Sequence, residues 1–107
     1  MLIDEHQTAK IVETVKSASA PRRIILFGSS ARGTMTPDSD IDILVVVADG
    51  THRRKTAQAI YRAIFSKKMD FAVDVAVATE SDLLEHKDDF WTVICPALKD
   101  GRVLYAA

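Results

Sequence analysis

Ile24-Ile25-Leu26-Phe27-Gly28-Ser29-Ser30-Ala31-Arg32-Gly33, followed at Asp40-Ile41-Asp42 by a second apolar run, is the stretch on which the fold turns. Its first part is a β-branched and aromatic run starting at Arg23 that stops abruptly at Gly28, as a buried strand entering a tight turn does. Gly28 to Ser39 is small and polar, punctuated by Gly33 and Pro37, with a short helical turn expected around Ser30 to Arg32. Asp40 to Val47 then reads as a second strand.

Outward from this stretch the hydrophobic period alternates between 3.6 and 2. Thr8, Ile11, Val12, Val15 and Ala18 form one stripe of an amphipathic helix from Asp4 to about Ala18, with Asp4 and Gln7 as a capping-box-like start and Pro21 beyond its end. After a turn at Ala48, Asp49 and Gly50, the residues Ala57, Ile60, Tyr61, Ile64 and Phe65 define a second helix. Asp70 to Val77 alternates strictly, with Phe71, Val73, Val75 and Val77 facing one way and Asp70, Ala72, Asp74 and Ala76 the other. Thr79 is placed to cap a helix containing Leu83 and Leu84. A helical segment from Asp88 carries Phe90, Trp91 and Ile94 until Pro96 kinks or divides it, Asp100-Gly101 ends it, and Arg102 to Tyr105 is a short edge strand. The expected architecture is α/β (α+β): one domain spanning 1–107, a mixed sheet with helices packed on one face and the acidic face left for a site.

Composition excludes several classes. The 107 residues are 48% hydrophobic and 27% charged, which fits an ordinary folded domain rather than a disordered or fibrous chain. The longest apolar run, Ile43 to Ala48, falls far short of the roughly 20 residues that cross a bilayer, and Asp4 and Glu5 stand where a signal peptide would be basic, so no membrane partner and a cytoplasmic location are expected. A net charge of -1 argues against direct nucleic-acid binding, and the basic clusters Arg22-Arg23, Arg53-Arg54-Lys55 and Lys67-Lys68 read as solvated element ends. Cys95 reads as a buried structural thiol, and His6, His52 and His86 as solvent-exposed side chains with no zinc spacing.

The chemistry concentrates in three aspartates. On a strand, Asp40 and Asp42 point to the same side about 6 to 7 Å apart, while Ile41 and Ile43 go into the core. Such a pair is costly without a cation, and its hard oxygens suit magnesium or manganese; a strand that simply begins in solvent explains the pair equally well. Asp74, flanked on its face by Ala72 and Ala76 in mid-strand, requires either a hydrogen-bond partner or a shared ion. Were its strand to lie beside the first acidic one, the three would converge into a cluster for one or two metals and a triphosphate. Gly28, Ser29 and Ser30 offer free backbone N–H groups and hydroxyls for phosphate, and Arg32 offers positive charge, although plain turns share this composition. The Gly-Lys-Ser/Thr ending of a P-loop is missing. Asp38, Asp40 and Asp42 imitate an EF-hand, but Ile43 stands at its glycine and Asp49 at its glutamate.

Taken together, Gly28-Ser29, ten intervening residues, Asp40-Ile41-Asp42 and the later Asp74 resemble the signature of the DNA polymerase β-type nucleotidyltransferase superfamily, and the run Ile24 to Gly33 resembles its minimal prokaryotic members in particular. The resemblance covers nearly the whole chain from Pro21 onward. It implies that Asp40, Asp42 and Asp74 are catalytic and bind magnesium, two ions with manganese as the alternative, and that Gly28 and Ser29, with Ser30 and Arg32 beside them, hold the triphosphate of ATP. It further implies a separate helical HEPN-type partner in a hetero-oligomer, with this chain as the antitoxin that transfers AMP to the partner's tyrosine. Two competitors stand beside it: a catalytically inactive module that neutralises a partner by covering it, and transfer of a nucleotide to a small molecule, which lacks a second domain to bind the acceptor.

Overall fold

The structure is a computed structural model that describes residues 5–28, 40–69, 71–89, 92 and 94–107. In chain order the elements are α1 (Glu5–Ala18), β1 (Arg23–Phe27), β2 (Ile41–Val47), α2 (Arg53–Ser66), β3 (Val73–Thr79), α3 (Glu80–His86), α4 (Ile94–Asp100) and β4 (Arg102–Ala106). The strands form one mixed sheet in the order β3-β2-β1-β4. β1 is antiparallel to β2 and β4, while β2 and β3 are parallel because the α2 crossover returns the chain to the same end of the sheet.

Strand β2 lies inside the sheet, and its register explains its composition. Ile41, Ile43, Val45 and Val47 join Ile24 and Leu26 of β1, Ile11 and Val15 of α1 and Ile60 of α2 in one buried cluster, with Phe71, Val73, Val75 and Val77 packed against it. Burying one such aliphatic side chain contributes about 1.5 to 3 kcal/mol, so this layer supplies much of the driving force. On the opposite face Leu44 and Val46 pack with Ile25, Ala78, Leu83, Ile94 and Ala97. The two long helices share one face as expected, whereas the short α3 and α4, expected on that face too, cover part of the acidic one, because Leu83, Ile94 and Ala97 need the apolar surface of Leu44 and Val46. Every residue of β2 is buried except Asp42, which precedes Leu44 and Val46 on that second face.

Several local signals are realised as read. Thr79 caps α3 in a full capping box with Asp82, and Asp49 at the end of β2 accepts from the Ser81 hydroxyl at 2.5 Å and the Ser81 N–H at 3.0 Å, which hold its carboxyl below the usual range. Gly101 is obligatory at the α4–β4 junction, since a Cβ there would run into the Ala97 carbonyl and the Ile25 side chain. Cys95 is buried.

Others are shifted. β2 begins at Ile41 rather than Asp40, and β3 runs Val73–Thr79 rather than Asp70 to Val77, because its partner β2 continues to Val47, which pairs with Thr79. The helix expected from Asp88 begins only at Ile94. Pro96 then falls in its first turn, where the missing N–H has no intrahelical acceptor to lose, so the proline starts the helix instead of dividing it. Phe65, assigned by periodicity to the buried stripe of α2, is 86% exposed. His6 and His52 are exposed as expected, with His52 Nδ1 accepting from the Lys55 N–H at the start of α2, whereas His86 is half-buried with its Nδ1 2.7 Å from Asp89. Asp4, Asp70, Phe90, Trp91 and the turn expected at Ser30 to Arg32 lie outside the described residues.

Candidate active site

The parallel pairing of β2 and β3 sets Asp42 directly opposite Asp74. Neighbouring strands are about 4.8 Å apart, so two carboxylates share one small surface in a register where like charges repel. Asp42 is half-buried, Asp74 is exposed, and exposed Asp40 lies one residue before β2. Beyond these positions the same face turns apolar and passes beneath α3 and α4. The acidic group thus occupies the end of this face that no described helix covers.

Gly28 completes this end from β1. Phe27 pairs with Asp42, so the chain leaves the sheet beside that carboxylate, and Gly28 takes φ +72. An added Cβ would collide with Asp42 Oδ2. Glycine is therefore required twice, for the left-handed backbone and for the close approach to the carboxylate. Ser29, Ser30 and Arg32, the remaining residues expected to bind phosphate, lie outside the described residues.

Tyr61 is the neighbour that sequence reading missed. Its hydroxyl donates to Asp74 Oδ1 at 2.9 Å, with the Val75 carbonyl a longer alternative at 3.4 Å, and accepts from the Val75 N–H at 2.8 Å. Burial raises its pKa first, and the hydrogen bond to Asp74 and the charges of Asp74 and Asp40 add to the rise against the opposing Val75 N–H. Tyrosine on an amphipathic stripe always carries a polar tip that needs a partner, and that was the available signal.

The donor set fits a hard divalent cation: carboxylate oxygens from two adjacent strands, no sulfur, and a glycine wall against one of them. Among the described residues, Asp82, Glu85 and His86 are the group of three whose ligand atoms lie within 4.8 Å of one another, a spacing that Asp40, Asp42 and Asp74 do not reach together. Asp82 and His86 are engaged otherwise, His86 with Asp89. Asp82 Oδ2 accepts from the Thr79 N–H at 2.9 Å and from Arg53 at 2.9 Å, which together hold its carboxyl below the ordinary value, the Thr79 contact foremost.

Residues 8–104 match the family model described as a nucleotidyltransferase domain. A candidate protein adenylyltransferase of Methanocaldococcus jannaschii is 33% identical over 104 residues, covering 95% of this chain and 98% of the relative. Among solved structures, a chain of a toxin–antitoxin complex with AMP-PNP aligns at a TM-score of 0.59 and 28% identity, over 94% of this chain and 73% of that one. A candidate nucleotidyltransferase from Sulfolobus solfataricus aligns at 0.60 and 27%, over 92% and 78%. With the family match spanning nearly the whole chain, and with a glycine turn set against aspartates on paired strands, this protein belongs to the nucleotidyltransferase domain family.

Proposed function

We propose that this chain, acting as a single minimal nucleotidyltransferase domain, uses magnesium to transfer AMP from ATP to a hydroxyl of a separate protein, and serves as the antitoxin of a HEPN-type toxin in the cytoplasm. The observation that carries the catalytic reading is the pairing of Asp42 with Asp74 beside Gly28. The partner reading draws on the toxin–antitoxin complex among its structural relatives and on the protein adenylyltransferase name of its sequence relative. No helix among the described residues is long and apolar enough to cross a membrane.

In this reading Asp40, Asp42 and Asp74 hold the metal, and the backbone N–H groups of Gly28 and Ser29 receive the β- and γ-phosphates, with Ser30 and Arg32 beside them. Bound magnesium, or manganese in its place, supplies neutralisation of charge on the attacking and leaving oxygens. The acceptor oxygen attacks the α-phosphorus in line, a P–O bond forms, the bond to the β-phosphate oxygen breaks, and pyrophosphate leaves. Asp74 lies at the open sheet edge, where it can take the acceptor's proton. No covalent enzyme intermediate is needed, so orientation and electrostatics account for the rate.

Incubating the folded pair with labelled ATP and magnesium is expected to label the partner, and Asp42→Ala is expected to abolish the label. Absence of transfer from a well-folded pair would overturn the enzymatic reading. Neutralisation that persists undiminished in the Asp40→Ala/Asp42→Ala variant would identify a covering module instead.

A further inference from the structure

We infer that Tyr61 is a positioning residue that fixes the Asp74 carboxylate for cation binding, an inference that rests on the metal role proposed above. Asp74 projects from a strand at the margin of the sheet and is exposed, so among the described residues close packing does not select one rotamer. The Tyr61 hydroxyl supplies that selection. It donates to Oδ1 at 2.9 Å while accepting the Val75 N–H at 2.8 Å, and so ties the carboxylate to the backbone one residue along the same strand. A phenol held at both its proton and its lone pair cannot swing without losing two bonds.

The position of Tyr61 in the fold makes the tie rigid. It follows Ile60, which is completely buried in the main core and pins α2 beneath the sheet. The ring reaches from that layer past the outer edge of β3, where the Val75 N–H is donated to Tyr61. The anchor engages Oδ1 and leaves Oδ2 to a cation. A neutral donor suits this task better than lysine or arginine, whose charge would compete with the ion for the same carboxylate. Hydrogen-bonded supports of metal-ligating carboxylates commonly change metal affinity by about 10- to 100-fold when removed.

The test is Mn2+ binding to the full chain with AMP-PNP, followed by electron paramagnetic resonance of the free ion. Tyr61→Phe is expected to weaken binding about tenfold, the lower end of that range, because the site is open to solvent. O-methyltyrosine at position 61, which keeps an acceptor for Val75 but has no proton for Asp74, is expected to show the same loss. 4-Aminophenylalanine, which retains a donor, is expected to recover most of the affinity. Circular dichroism establishes that each variant compared is folded, and O-methyltyrosine serves if Tyr61→Phe does not fold. Asp74→Asn run in parallel separates the two levels of the argument. If it loses Mn2+ while the Tyr61 variants bind like wild type or more tightly, the positioning role is overturned alone. If Asp74→Asn itself binds Mn2+ normally, the reading of the site falls, and the inference with it.

Discussion

Two acidic groups stand on this molecule, and they differ in how their lone pairs are used. Around α3, two carboxylates answer local needs: Asp82 closes a capping box and meets Arg53, and Asp89 faces His86. These contacts join residues close in sequence, apart from Arg53. At the other end, Asp42 and Asp74 are 32 positions apart in the chain (74 − 42) and meet only through strand pairing. Among the described residues no ion pair reaches Asp40 or Asp74, and the hydroxyl on Asp74 is neutral. Proximity of carboxylates alone is therefore uninformative; what distinguishes the second group is a convergence that only strand pairing produces.

Breaking the long-range group should have the largest effect. With magnesium and ATP at about a hundred times their dissociation constant, the wild type should gain about 2.7 kcal/mol of stability, visible as a rise in melting temperature. Asp42→Asn should remove that gain. Without the ion the same substitution should change stability by less than that gain. A variant that is strongly destabilised in the absence of metal would break the comparison.

Gly28→Ala should come next. The positive φ alone costs about 1 to 2 kcal/mol, and displacement of the Asp42 carboxylate should weaken nucleotide binding as well; urea unfolding and a fluorescent ATP analogue read the two effects separately.

The local group should behave differently. Thr79→Ala should cost about 1 kcal/mol of stability through the lost cap, yet leave nucleotide binding unchanged. Loss of nucleotide binding in this variant would mean that the two acidic groups communicate.

The smallest effect is electrostatic. The hydrogen bond to Asp89 holds the pKa of His86 above its ordinary 6.5, with the charge of Glu85 contributing. The stabilisation it provides is complete below 6.5 and fades as pH rises through the raised value. An NMR titration of His86 should show the raised midpoint, and Asp89→Asn should lower it towards 6.5; an unchanged midpoint would remove the ion pair from the account.

Much of this was legible in the chain itself. The apolar runs at Ile24 and Ile43, the stripes of α1 and α2 and the Thr79 cap are local signals, and each appeared at or near the expected place. Boundaries were less legible: β3 ends at Thr79 because β2 offers a partner that far, and Phe65 stays exposed because the core it was expected to join lies around Ile60. Of the site, the residue types at Gly28, Asp40, Asp42 and Asp74 were readable, whereas Tyr61 was absorbed into a hydrophobic stripe.

Alternation along the strands, the glycine turn and the carboxylates that stand out from apolar runs follow from the chain alone, since covalent neighbours and strand periodicity dictate them. That β3 lies beside β2 with Asp74 opposite Asp42, and that a phenol from the crossover helix reaches the same carboxylate, emerges only in the packed molecule. The reason is physical: period and propensity act over a few residues, while register is chosen by burying the isoleucines and valines of both strands together.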